Sequence, residues 1–116
     1  MKKNLLVVLS VVLVFSLMFV GTSLANTQYR VAYIARAQAD SFAAWLANSI
    51  VEEANKYDHI TVRVFDGQAD NAQQNALIEN AIVNGYDLII IQPNDGEAQR
   101  PYAELVVESG IHLITT

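Results

Sequence analysis

Leu88-Ile89-Ile90-Ile91-Gln92-Pro93-Asn94-Asp95-Gly96 is the stretch whose reading decides the fold. Four apolar residues in succession, three of them β-branched, cannot alternate between a core face and a wet face. Such a strand is buried on both sides, as in a parallel sheet clad by helices. Pro93 and Gly96 stop it sharply. The polar residues after it lead into a helix, so they stand at the carboxyl end of a central strand. In an open parallel α/β sheet that is the end where ligands bind.

Working outward, the same grammar recurs on both sides. Gln28 to Ala35 reads as a first strand, and Ile60 to Phe65 as a second. The second alternates its apolar residues with Thr61 and Arg63, so it is expected at an edge. Tyr86 to Ile91 is the third strand and Ile111 to Ile114 the fourth. A helix fits each interval. The first starts at Asp40 or Ser41, ends near Tyr57-Asp58, and turns Phe42, Trp45, Leu46, Ile50 and Ala54 inward. The second is capped by Asp70 with Gln73 as a box partner, buries Leu77, Ile78, Ala81 and Ile82, and ends at Asn84-Gly85. The third runs from about Gly96 to Ser109 with Ala98, Tyr102, Leu105 and Val106 on its packed side. Pro101 is tolerated there if the helix starts near Glu97 or Ala98. The order is β-α-β-α-β-α-β, an α/β fold with an open parallel sheet, right-handed crossovers and an expected strand order of 2-1-3-4.

The first 25 residues have a different character. Met1-Lys2-Lys3-Asn4 is basic, Leu5 to Val20 is almost wholly apolar, and Ser23-Leu24-Ala25 places small residues at a cleavage site. That is a secretory signal peptide, with cleavage expected after Ala25 and a domain over 26–116. A run of sixteen residues, interrupted by Ser10 and Ser16, is short for a span, which takes about 20. Beyond residue 25 there remain five Lys and Arg against twelve Asp and Glu, a net charge of −7. Such an acidic chain does not favour nucleic acid or anionic membrane. With no cysteine it forms no disulfide or thiolate metal site. We expect an exported protein in the periplasm or at the extracytoplasmic surface.

Catalytic motifs are absent. There is no G-x-S-x-G elbow, no G-x-G-x-x-G and no phosphate-binding loop after any strand. His59 and His112 open strands, at the end opposite the expected ligand side, and their spacing is not that of a metal site. Asp66 and Asp95 each follow a strand; acid–base work is conceivable for such a pair, but capping is the favoured reading. We therefore expect no enzyme, no cofactor and no metal. Binding is the better reading. If the strand order reverses between the first and third strands, their loops flank one crevice. Arg36, Asp40, Ser41 and Phe42 lie on one side, and Gln92, Asn94 and Asp95 on the other. Amide, carboxylate and guanidinium groups suit sugar hydroxyls, and an aromatic ring suits the C–H face of a pyranose. Phe42 serves equally as the first core residue of its helix, and Asp40 equally as its cap. Gln92, directly after the isoleucines, needs a partner for a buried amide.

Five pieces together resemble the amino-terminal lobe of the periplasmic sugar-binding proteins, the ribose- and galactose-binding type. They are the export signal; Val31-Ala32-Tyr33-Ile34 with its loop ending Asp40-Ser41-Phe42; Val64-Phe65-Asp66-Gly67-Gln68-Ala69-Asp70; Gly85-Tyr86-Asp87 through Gln92-Pro93; and Gly110-Ile111-His112-Leu113-Ile114-Thr115-Thr116. The resemblance spans residues 29–116. It implies the type I periplasmic binding protein fold, with Asp40 and Phe42 in the sugar-holding loop and Gln92 as a polar sugar contact. Ser41 and Ala39 stand where the family often carries paired aromatics or an asparagine. The second lobe lies beyond Thr116, so a truncated amino-terminal lobe is expected. The implied whole is the solute-binding component of an ABC transporter, a monomer when intact, delivering a small sugar or polyol to a membrane permease. Rival readings are the sensing domain of a chemoreceptor or sensor kinase and, less favoured, a secreted α/β enzyme. The effector domain of a repressor would need an amino-terminal helix-turn-helix where this sequence has an export signal.

Overall fold

The structure is a computed structural model and describes residues 27–116. The signal peptide expected over residues 1–25 lies outside the described residues. Strands β1 (Tyr29–Ala35), β2 (Ile60–Asp66), β3 (Leu88–Ile91) and β4 (His112–Thr115) alternate with helices α1 (Ser41–Ala54), α2 (Asn71–Val83) and α3 (Gly96–Glu108). All strand pairs are parallel and the order is β2-β1-β3-β4, as the sequence led us to expect. β1 is central, with Ile34 level with Phe65 on one side and Ile91 on the other.

The sheet has two unequal faces. On one, Ala32, Ile34, Ile89 and Ile91 meet Ile78 and Ala81 of α2 and Val106 of α3. On the other, Val31, Tyr33, Ala35 and Ile90 meet Ala47 of α1, with Leu46 and Ile50 beside it. Neighbours along β1 from Val31 onward and along β3 thus go to opposite cores, which is why those residues are apolar. β2 is half-buried and forms an edge, as its alternation requires.

Several boundaries and faces differ from the sequence reading. α1 ends at Ala54, because Lys56 and Tyr57 turn back through 3.2 and 3.0 Å bonds to Glu53 and Ala54. Its inward face is alanine: Ala43, Ala47 and Ala54 are buried, while Phe42 and Trp45 are each 60% exposed. Small residues let this helix lie close to the sheet, and the large rings at neighbouring positions turn away. In α3, Leu105 is exposed and Gln99 is buried beside Val106. α3 begins at Gly96, so Pro101 falls in its second turn and the Glu97 carbonyl loses its donor. Both residues are exposed, so water can take that bond. β3 begins at Leu88 instead of Tyr86. Tyr86 instead seats its ring in the core, edge-on to Phe65 at 6.0 Å and beneath the Arg30 guanidinium at 4.5 Å. β4 runs one residue later than expected at each end.

Candidate functional site

Because every strand is parallel, the loops after β1, β2 and β3 emerge at one end of the sheet. The order reverses between β1 and β3, and their two loops lie side by side. Gln92 joins them. Its backbone N–H donates to Ile34 O at 3.0 Å, and its side-chain Oε1 accepts from Arg36 N at 3.2 Å and from Tyr33 Oη at 3.3 Å. An N–H donor fixes which end of the amide faces Arg36. Gln92 is 7% exposed, yet its Nε2 bonds to nothing among the described residues and is not buried. One half of the amide ties the two loops together, and the other half reaches the surface with its donors unspent. The buried Tyr33 phenol beneath it is pushed above its ordinary pKa by desolvation.

The other sequence-predicted residues take defined places on this rim. Asp40 caps α1, its Oδ1 accepting from Phe42 N at 2.9 Å and Ala43 N at 3.0 Å. Its Oδ2 pairs with the Arg36 guanidinium. The Ala43 amide, with Arg36 and the Phe42 amide, holds the Asp40 carboxyl below its ordinary pKa, against an opposing desolvation. Asp40 thus acts as the helix cap, and Arg36 finds a polar partner in it. Ser41 and Phe42 are exposed at the start of α1. Phe42 stacks obliquely on Trp45, with centroids 5.7 Å apart, so neither ring is core and both stand at the edge of the rim. Asn94 donates through Nδ2 to Asn71 Oδ1 at 2.7 Å. Asp95 caps α3 through Glu97 N and Ala98 N. Capping was favoured for Asp95 and for Asp66, but Asp66 caps no helix. Its Oδ1 accepts from Gln38 N at 2.9 Å and Gln68 N at 3.0 Å, lashing the loop after β2 to the loop after β1. His59 and His112 lie at the opposite end, as expected; His59 sits edge-on to Tyr29 and Tyr57.

The sequence reading missed two parts of the rim. One is the loop Gly67-Gln68-Ala69. Gly67 N donates to Ala35 O and Ala69 N to Arg36 O, at 2.9 and 2.8 Å. A Cβ on Gly67 would stand 2.6 Å from Ala35 O and 2.8 Å from Arg36 O, so only glycine fits this approach. Gln68 and Ala69 then take φ of 54° and 53°, left-handed values uncommon for residues with a Cβ. Gly67 in the quoted motif was a usable signal. The other is a layer of amides under the rim. Gln74 and Gln99 are 0% and 2% exposed, and Gln99 Oε1 accepts from Asp95 N at 2.9 Å. Glutamine at an inward helical position gives little warning of this.

No group of three or more His, Cys, Asp or Glu suited to a metal ion occurs among the described residues. No helix among them is long and apolar enough to cross a membrane. The rim offers an amide donor, an Arg–Asp pair and two exposed rings. That set can hold hydroxyls and lie against an apolar ring face; it has no nucleophile–base pair.

The periplasmic binding protein domain model matches residues 31–116. A protein of Rhizobium meliloti assigned as rhizopine-binding is 33% identical over 75 residues, 65% of this chain and 24% of its own length. An ABC transporter solute-binding protein from Bacillus halodurans C-125, solved with bound myo-inositol, superposes with a TM-score of 0.69 at 28% identity. The match covers 81% of this chain and 32% of that one. The fructose-binding periplasmic domain of a hybrid two-component system gives 0.72 at 25% identity, over 76% of this chain and 29% of that one. This chain therefore spans about a quarter to a third of the length of these relatives. They are binding proteins, not enzymes, in agreement with the missing catalytic motifs. By its parallel lobe, its rim at the reversal of strand order and the family match over nearly all the described residues, this chain belongs to the periplasmic binding protein domain family.

Proposed function

We propose that the loops after β1 and β3 form half of a binding site for a small sugar or polyol, and that the intact protein is an exported solute receptor. A second lobe, encoded beyond Thr116, closes over the ligand and the receptor delivers it to an ABC-type membrane permease. Hinge closure of two domains around a ligand is the general mode of such proteins. Residues 1–25 act as the export signal, and the intact receptor works as a monomer without cofactor or metal.

The observation that carries this reading is Gln92. Its Oε1 bonds Arg36 N across the crevice at 3.2 Å, while its Nε2 is left for another partner. Arg36, Asp40, Ser41 and Phe42 flank it on one side, Asn94 and Asp95 on the other. Arg36 and Asp40 neutralise each other, which suits a neutral ligand whose hydroxyls take the remaining donors and acceptors. Phe42 offers its exposed ring to a C–H face. The bound myo-inositol of the Bacillus halodurans relative supports a polyol as ligand.

Calorimetry of the full reading-frame product against pentoses, hexoses and inositols tests the proposal. Saturable binding of one of them is expected, and Gln92→Ala should weaken it by ~1–3 kcal/mol, the cost of leaving a partner unpaired. No binding across the panel, or unchanged affinity in the variant, contradicts it. A second reading, the sensing domain of a two-component receptor, is favoured by the fructose-binding periplasmic domain among the relatives. A membrane-spanning helix after the second lobe would select it over a transport receptor.

A further inference from the structure

We propose that Gln74, which touches no ligand, is the positioning residue that holds the three rim loops in binding register; this rests on the reading of the rim as a binding site. Gln74 is the fourth residue of α2 and is 0% exposed. Its Nε2 donates to Gln92 O at 2.6 Å and to Ala35 O at 3.4 Å. Its Oε1 accepts from Asn94 N at 2.9 Å. The loop after β2 runs close by the same side chain: a Cβ on Gly67 would lie 3.1 Å from Gln74 Cγ. One buried side chain thus bonds the end of β1 and both flanks of the turn after β3, with the loop after β2 packed close beside it.

The chemistry explains why an amide stands there. Beyond Ile91 the ladder between β1 and β3 runs out, yet the Gln92 carbonyl and the Asn94 N–H stay turned inward and each needs a partner. A group that donates and accepts at once, at the end of two methylenes, supplies both. Glutamate has no donor when ionised, methionine has neither function, and asparagine is a methylene short. Burying a neutral amide is unfavourable unless it is bonded, and here both Gln74 polar atoms are used.

Gln74 also stands on a firm base. α2 starts at the Asp70 cap, whose carboxylate accepts from Gln73 N at 2.7 Å, and docks through Ile78 and Ala81. The expected return bond from the Gln73 side chain is absent; Asp70 N turns to Gly67 O at 2.9 Å. Gln92 is thereby gripped at its N–H by Ile34 and at its carbonyl by Gln74. That grip sets the Cα from which its side chain reaches Arg36. Residues locked this way hold a binding constellation to the tolerance recognition needs.

The test compares wild type, Gln74→Met and Gln74→Glu at pH 8. Amide hydrogen exchange on the 116-residue chain needs no ligand; calorimetry with myo-inositol, a pentose and a hexose on the full reading-frame product reports binding. In Q74M the Asn94 N–H should exchange at least ten-fold faster, while Ile34 and Ile89 in the central strands change less than three-fold. In Q74E the carboxylate still accepts from Asn94, so that amide should stay protected. Affinity should fall at least five-fold in Q74M, and in Q74E at a pH where its buried carboxyl is ionised, because both then lose the donor to Gln92 O. Unchanged Asn94 exchange in Q74M overturns the proposal. So does an equal acceleration of rim and central amides in both variants, the mark of a residue that only stabilises the fold. If Q74M does not fold, Q74E decides once its carboxyl is ionised: Asn94 protected with weakened binding supports the assignment, and binding unchanged in the ionised variant overturns it. If wild type binds none of the three ligands, the sugar reading falls while the exchange data still decide whether Gln74 holds the rim.

Discussion

Helices α1 and α2 begin alike and pack in opposite ways. Each starts at the rim, just after an aspartate that caps it. α1 buries alanines and turns Phe42 and Trp45 outward; α2 buries Ile78 and Ala81 together with the amide of Gln74. The difference teaches that side-chain size and polarity do not by themselves decide what a helix buries. The space between helix and sheet decides, and so do the backbone groups that lie beneath it. α1 packs on an unbroken stretch of sheet, with Ala43 and Ala47 buried and Leu46 and Ile50 beside them. α2 begins over a place where the ladder has ended and orphan backbone groups wait for an amide. One side of the rim is stitched from below, and the other is open and aromatic.

The contrast can be broken first on the stitched side. Gly67→Ala drives a Cβ against two backbone oxygens that side-chain motion cannot move aside. We expect a loss of about 3 kcal/mol by urea denaturation, at the upper end of overpacking effects. A loss below about 1 kcal/mol would mean that the loop after β2 is free to move off β1. On the other side, Ala47→Leu adds bulk where α1 meets the sheet at 4% exposure. It should cost about 2 kcal/mol in the same assay. Trp45→Ala should cost less than about 0.5 kcal/mol, as for an ordinary surface change. Had Trp45 faced the core, as its helical spacing suggested, about 3–5 kcal/mol would be lost.

The smallest expected effect concerns the Asp40 cap. Its carboxyl pKa in the folded chain lies below its ordinary 3.8, chiefly through the Ala43 amide and then Arg36. A lowered folded pKa adds stability that is present above the ordinary value and fades as pH falls through the lowered one. The difference in denaturation midpoint between wild type and Asp40→Asn should therefore be constant from neutral pH to about pH 5 and shrink below 3.8. A difference that grows with acid would show that the cap and the ion pair are not what stabilise the charged form.

The sequence carried the strand order and the place of the rim, because they follow from a few unambiguous signals. Ile89 to Ile91 could only be a doubly covered strand, and Thr61 and Arg63 marked an edge. Asp40, Asp70 and Asp95 were legible as caps because each precedes a helical period. The face of α1 was only partly legible: Leu46, Ile50 and Ala54 pack inward as read, but Ala43 and Ala47 take the buried places that hydrophobicity assigned to Phe42 and Trp45. Gln74 stayed hidden because its burial answers to backbone atoms of distant loops, and Gln99 because it is held by the Asp95 amide at its own cap and by the Asn75 side chain of α2. Asp66 was read as a cap because it follows a strand; its bonds run sideways to Gln38 and Gln68, a relation visible only once the loops are side by side.

The most direct test of the binding rim is amide chemical-shift mapping of the intact protein during titration with the tightest-binding pentose, hexose or inositol. Saturable shifts are expected at Arg36, Asp40, Phe42, Gln92 and Asn94, with Tyr29, His59 and His112 at the far end of the sheet unmoved. Saturable shifts at that far end, or in the hollow between α2 and α3 lined by Ile82, Val83 and Leu105, with Arg36 and Gln92 silent, would contradict it.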